Sequence, residues 1–276
     1  MANPRETILD LYGSFIRDFG GWIAVADLIR LLDTLGIDEA SSRSAVSRMK
    51  RAELLQPAIL GGVKGYRLTT PAEEWFADGD QRILHRSGPV EHTRWVLVSF
   101  SVPEGERMMR YRLRARLSAL GFGQASAGLM VAPVAVMAET ERTLRREGLD
   151  SYVTLWDATH AGFTSTAAMV ASAWDLPAIR AAYDTYMASQ RPVPAALESV
   201  VDDDREAFRH YVANVNAWRA LPYLDPGLPL SALPAGWPSS EAAQLFDAVA
   251  ARLRPGAWRW FVRICSRNHE VRAKAG

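Results

Sequence analysis

The sequence predicts an α+β fold in three successive parts, and three patterns carry that reading. A short capped helix near residues 38–52 runs directly into a glycine-bounded hairpin at 61–69. Strand and helix signals between Trp95 and Trp156 alternate as βαββαβ. From about Thr164 onward, apolar residues recur at helical spacing. A length of 276 residues suits two or three domains, placed at 1–86, 87–163 and 164–276. With 49% apolar and 23% charged residues, the chain carries enough apolar mass for ordinary globular cores.

Ile8, Leu9, Tyr12, Phe15, Ile16 and Phe19 fall on one stripe, so residues 4–19 read as a helix stopped by Gly20-Gly21. Trp22–Val25 suits a short strand. Leu28, Leu31, Leu32 and Leu35 mark a second helix, with Gly36 as its left-handed cap. Asp38 is a good N-cap for a third helix. Projected at about 100° per residue, Ser42, Val46 and Met49 face inward. Ser41, Ser44, Arg48 and Arg51 face outward, with Ser47 beside them and Arg43 and Lys50 on the shoulder. Residues 59–69 have extended character, with turns expected at Gly61-Gly62 and at Gly65. Pro71 then sits near the first turn of another helix. Helix, short strand, helix, helix, hairpin, helix is the order of a winged helix-turn-helix, and double-stranded DNA is the partner it implies.

The middle part follows a connection at residues 80–93, whose most flexible point is Ser87-Gly-Pro. Trp95–Val102 reads as a buried strand. Pro103-Glu104 starts a helix with Met109, Leu113, Leu117 and Leu120 inside and Arg107, Arg110, Arg112, Arg114 and Arg116 outside. Gly121–Gln124 and Gly128–Ala132 read as strands, Glu139–Glu147 as a helix, and Tyr152–Trp156 as a closing strand. This is a ferredoxin-like unit. Its arginine face reads as a solvated surface, with a second DNA contact or a phosphate site as the alternative.

In the last third, Met169, Val170 and Trp174 form one stripe, and Ile179, Tyr183, Tyr186 and Met187 another. Asp202–Trp218 is a helix with a negative first turn. Leu221–Pro238 is too proline-rich for regular structure. Ser239 or Ser240 caps a final long helix containing Leu245, Phe246, Val249 and Leu253.

Charge sharpens the expected partner. The net charge is only +1, so a nucleic-acid surface must be local. Residues 41–67 hold Arg43, Arg48, Lys50, Arg51, Lys64 and Arg67 against the single anion Glu53, a net of +5, whereas residues 1–40 carry −4. Arg48 and Arg51 have the reach to bind guanine O6/N7 or phosphate, and Ser41, Ser44 and Ser47 are short enough for close approach. Lys64 and Arg67 on the wing suit flanking phosphate or the minor groove. Tyr66 reads as core, with a contact to the DNA backbone as the alternative.

The one cysteine, Cys265, rules out an internal disulfide framework and implies a reducing compartment. No apolar run approaches the roughly 18 residues that span a bilayer, and the N-terminus lacks a signal pattern. A cytoplasmic chain without a membrane partner is expected. Five histidines show no metal-ligand spacing with Cys265, and Asp202-Asp-Asp204 reads as a helix start. Neither a metal nor another cofactor is expected. With no phosphate-binding glycine loop and no Gly-x-Ser-x-Gly elbow, the chain does not read as an enzyme.

Nearly end to end, the chain resembles the PaaX-type repressors that control phenylacetic-acid catabolism in bacteria. Four places carry the resemblance: Leu28-Ile-Arg-Leu-Leu32 with Gly36-Ile37; the spacing of Arg43 and Ser47-Arg48; Trp95–Val102 with Leu120-Gly-Phe-Gly123; and Trp218-Arg219-Ala-Leu-Pro, Leu224-Asp-Pro-Gly-Leu-Pro229, Leu233-Pro234 and Trp237-Pro238. The last is the most specific. The chain departs from the family at Ser239, usually Gly, and at Ser42, usually aliphatic, where a hydroxyl near a helix start can bond backbone. The resemblance implies a homodimeric repressor released from its operator by an aryl-CoA thioester, typically phenylacetyl-CoA. It does not place that effector. Arg209, His210, Tyr211 and Trp218 are the candidate effector surface, because aryl groups want aromatic walls and CoA wants cations.

Two other readings remain open. The middle part resembles the small ferredoxin-like nucleases of CRISPR spacer acquisition, which would make the chain a metal-dependent nuclease. Its first strand, however, ends in Ser99-Phe-Ser101-Val without the carboxylate those enzymes carry. A scaffold that keeps the winged helix for protein contacts is disfavoured by the local +5 charge.

Overall fold

The computed structural model describes residues 3–83, 94–191 and 203–273, with side chains described as far as Cys265. The chain forms two compact units. Residues 1–84, 188–218 and 244–276 make the first, and residues 85–187 and 219–243 the second. The boundary expected at residue 86, and Ser87-Gly-Pro, lie outside the described residues.

The first unit begins with α1 (Pro4–Leu11), capped by Asn3, whose side chain accepts from the Arg5 N–H at 3.1 Å. The helix continues as a π-helical turn, Tyr12–Ile16, and stops at Gly20 and Gly21, both at positive φ. There follow β1 (Trp22–Ala24), α2 (Val25–Thr34), α3 (Glu39–Arg51), β2 (Leu55–Leu60), β3 (Val63–Leu68) and α4 (Thr70–Ile83). The antiparallel sheet has the order β1-β3-β2.

The C-terminal ends of α2 and α3 are both fixed by backbone chemistry. Gly36 at φ 79° closes α2, with its N–H on Asp33 O at 2.9 Å and the Ile37 N–H on Leu32 O at 2.9 Å. Glu53 at φ 54° closes α3 in the same way, through Glu53 N–H to Lys50 O and Leu54 N–H to Met49 O. That turn reverses the chain at once, so the hairpin starts at Leu55, earlier than the sequence pattern places it. Gly65 lies in mid-strand rather than in a second turn.

The second unit contains β4 (Arg94–Phe100), α5 (Arg107–Ala119), β5 (Gly123–Ser126), β6 (Leu129–Pro133), α6 (Met137–Arg146) and β7 (Val153–Thr159). Sheet order β5-β6-β4-β7, antiparallel at every pairing, is the ferredoxin-like arrangement that the βαββαβ pattern implies. Val96, Val98, Leu113, Leu117, Met130 and Leu144 fill its core. Then come α7 (Thr166–Ala173), α8 (Leu176–Gln190), α9 (Asp204–Trp218), the single turn α10 (Leu221–Leu224) and the long α11 (Ser239–Ala273).

Residues 164–276 are thus shared between the two units. In the first, Phe15 packs against Phe208, Tyr211, Trp258 and Phe261, with ring centroids 5.2–6.2 Å apart. Asn216 donates to Asp10 at 2.7 Å, and Asp204 receives both Arg259 and Arg263. In the second, buried Asp225 organises the proline-rich stretch. Its carboxylate accepts from Tyr183 Oη at 3.2 Å, Trp237 Nε1 at 2.9 Å and the backbone N–H groups of Gly227 and Leu228. The stretch therefore holds a defined shape without strands or long helices.

Candidate nucleic-acid interface

Helix α3 presents the two faces its sequence implies. Ser42, Ala45, Val46 and Met49 are buried. Arg43, Ser44, Ser47, Arg48, Lys50 and Arg51 are exposed, and Ser41 half-exposed. Asp38 caps the helix, accepting from the Ser41 N–H at 2.8 Å and the Ser41 hydroxyl at 2.7 Å, and these bonds hold its carboxyl below the usual carboxylate range. Ser42 fits the inner face because its hydroxyl donates to Asp38 O at 2.8 Å.

The outward cations differ in availability. Arg43 is drawn back onto Glu39 at 2.6 Å. Arg48 donates to Ser44 Oγ at 2.7 Å, which holds the guanidinium along the helix. Among the described residues, no carboxylate pairs with Arg48, Lys50, Arg51, Lys64 or Arg67. A surface of unpaired cations and short hydroxyls repels itself in water and is stabilised by a polyanion.

The wing is a stiff hairpin. Gly61 and Gly62, at φ 56° and 78°, form a two-residue turn with both central residues left-handed. On one side of the sheet the Trp22 indole lies over Gly65 and donates to Ala58 O at 3.2 Å. A Cβ at Gly65 would overlap that indole and the Ile23 carbonyl, so only glycine admits the brace.

Strand alternation sorts the wing residues. The register pairs Pro57 with Tyr66 and Ile59 with Lys64, on one face. Arg67 is paired with Gln56 and Trp22, on the other. Tyr66 is half-buried; with Val25, Leu28 and Val46 it lines a shallow cavity of about 170 Å³ whose polar side is Arg43, Ser47 and Lys50. Lys64 therefore shares the face of the recognition helix, and Arg67 does not.

The four candidate effector residues do not form one surface. Trp218 is buried, stacked on Phe246 at 5.0 Å, with its indole N–H on Ile83 O at 3.2 Å. Tyr211 is buried beside Phe15 and accepts from Arg254. Arg209 is exposed and paired with Glu206 at 3.0 Å, and His210 is partly exposed. On α5, Arg112 and Arg116 reach Glu147, Arg110 donates to Val102 O, and Arg114 to Gln124. At the end of β4, Ser99 Oγ accepts from the Trp156 indole at 3.0 Å. Among the described residues no helix is long and apolar enough to cross a membrane.

Two features escaped sequence reasoning. The Asp225 hub is signalled only by an Asp-Pro-Gly flanked by a distant tryptophan. The Trp22–Gly65 brace depends on a pairing between strands far apart in the chain.

A short hydroxyl-and-arginine face on the second helix of a helix-turn-helix, beside a stiff basic wing, defines a winged-helix protein of the kind that reads duplex DNA. The chain belongs to the PaaX-like family. The profile described as PaaX-like protein matches residues 3–72, the PaaX central Cas2-like domain residues 91–170, and the PaaX-like C-terminal domain residues 174–263. The transcriptional repressor PaaX of Escherichia coli (strain K12) is 27% identical over 262 residues, covering 93% of this chain and 82% of its own. The solved structure of the uncharacterised protein Rv0674 from Mycobacterium tuberculosis covers 92% of this chain and 97% of its own, with a TM-score of 0.55 at 21% identity, a likeness of fold alone.

Proposed function

We propose that this protein is a DNA-binding transcriptional repressor of a phenylacetate-type catabolic operon, acting as a homodimer and released by an aryl-CoA thioester such as phenylacetyl-CoA. The observation that carries DNA binding is the unpaired Arg48, Lys50 and Arg51 on the open face of α3. Family membership, and the name of the Escherichia coli relative, support repression and the choice of operon. In this reading α3 enters the major groove, Arg48 and Arg51 contact guanine edges or phosphates, and Lys64 holds the flanking backbone. Binding of effector shifts the population toward a state in which two heads no longer match two half-sites.

The direct test is titration of a duplex selected from a random pool by the full-length protein. Arg48→Ala lowers specific affinity by roughly 1–3 kcal/mol. Unchanged binding by the Arg48→Ala, Arg51→Ala double variant refutes the helix assignment. For the effector, a thermal-shift titration with phenylacetyl-CoA raises Tm, since a ligand that binds only the native state stabilises it. No shift with any aryl-CoA, and no loss of DNA binding, removes that part of the reading.

A further inference from the structure

We propose that Ile59, at the tip of the wing, is a specificity-determining residue. It inserts an aliphatic wedge into the minor groove beside the site that α3 reads, so that the protein selects sequences that unstack easily there. The inference rests on the DNA-binding reading above and adds a residue and a mode of readout to it.

Ile59 is 69% exposed, the most open of the large apolar side chains described in the first unit. It sits on β2, the edge of the sheet, where an uncovered β-branched residue is a liability that folds normally remove. The protein's own packing does not use it. Its surroundings point to a duplex rather than to an apolar protein partner. Directly across the hairpin stands Lys64, a cation without a carboxylate partner. On the same face the Pro57–Tyr66 pair leads to the cavity edged by Ser47 and Lys50. The wedge thus lies on the recognition side, with the Lys64 cation next to it.

The wing is also built to hold a wedge steady. The Gly61-Gly62 turn closes the hairpin in two residues, both at positive φ, and the Trp22 indole, lying over Gly65 and bonded to Ala58 O, braces the opposite face. A braced apolar tip beside a cation is an arrangement that pries base steps apart, and pyrimidine–purine steps yield most readily. The chemistry recognised is therefore double-stranded DNA with a flexible step at a fixed distance from the bases contacted by Arg48.

The test uses the full-length protein. Wild type, Ile59→Val and Ile59→Ala each select duplexes from a randomised pool, and affinity is then measured for the wild-type winner and for an unrelated duplex. Ile59→Ala weakens binding to the winner about tenfold, the equivalent of one lost base contact. It leaves unrelated DNA within about twofold, because phosphate charge sets that term. Its selected pool loses the flexible step at the flank and keeps the α3 site. Ile59→Val retains most of the preference. Resonance energy transfer between dyes on the duplex ends reports a smaller bend for Ile59→Ala. If Ile59→Ala selects the same sequences with the same affinity, or weakens both duplexes equally, the wedge is wrong and DNA reading stands. If the folded wild type binds no duplex, both fall together.

Discussion

The sharpest consequence of the wing's register is that two equal charges three residues apart in one strand behave differently. Lys64 and Arg67 are both exposed, and neither has a carboxylate partner. Lys64 lies on the face of Tyr66 and α3, whereas Arg67 lies on the face of Trp22. A cation that neutralises one phosphate contributes about 0.9 to the slope of log affinity against log salt. Removing it makes that slope shallower by the same amount. Between 50 and 200 mM salt, about 0.6 log units, the wild type loses about 3.5-fold more affinity than Lys64→Ala does. Arg67→Ala, a sheet's thickness away and screened at ordinary ionic strength, changes the slope by less than roughly a third of this. The assay is fluorescence anisotropy of a labelled non-specific duplex at four salt concentrations. Equal slopes for the two variants, or a larger effect at Arg67, refute the assignment of the wing's two faces.

Three further outcomes follow from single sites. Glu53 is the only non-glycine residue at positive φ among those described, and it is the lone anion within residues 41–67. Glu53→Gly relieves the left-handed strain, worth about 1 kcal/mol in urea unfolding, and tightens non-specific DNA binding; a loss of either property refutes this. Asp225→Asn turns an amide N–H2 toward donors that now share a carboxylate, and lowers stability by about 2–4 kcal/mol, read in urea unfolding by tryptophan fluorescence. An effect below about 0.5 kcal/mol removes Asp225 as the organiser of the proline-rich stretch. Burial, reinforced by the Asp27 carboxylate, pushes the Cys265 thiol up to about 12. Below the ordinary thiol pKa both states keep the proton. Above it the unfolded chain ionises first, so this contribution to stability is lost as pH rises toward 12. Thiol-reactive dye at neutral pH labels Cys265 only on unfolding; rapid labelling of the native protein contradicts the burial.

Local signals made the first part of the chain legible. Gly36, Asp38 and the alternation of Ser42, Val46 and Met49 with Ser44, Arg48 and Arg51 specify the helix-turn-helix within a few residues, because caps and periodicity are short-range physics. The ferredoxin-like order was legible for the same reason. What stayed hidden depends on distant contacts. Gly65 reads as a turn residue in isolation, and only the pairing of β1 with β3 shows that it makes room for Trp22. Tyr211 and Trp218 carry the chemistry of a ligand wall, but Phe15 and Phe246 claim them for the core. The proline-rich stretch looks unstructured because its order comes from one carboxylate rather than from repeated backbone bonds.

The sharing of the C-terminal helices bears on how DNA binding can be controlled. Phe15 belongs to the segment that leads into β1 and α2, yet its ring is packed by Phe208 and Tyr211 of α9 and by Trp258 and Phe261 of α11. Asn216 ties α9 to Asp10 of α1, and Arg254 ties α11 to Asp18. Close-packed aromatic clusters of this kind resist continuous deformation and repack in steps. Gly256 marks how tightly the two helices meet, since a Cβ there would lie 2.8 Å from Ala207 Cβ. A shift of α9 against α11 therefore has to be taken up at Phe15, in the segment that β1 and α2 join to the recognition helix. In the proposed scheme an effector needs no contact with DNA or with α3. A differential affinity of about 1–3 kcal/mol for two packings of this cluster is enough to change operator affinity roughly 5- to 150-fold.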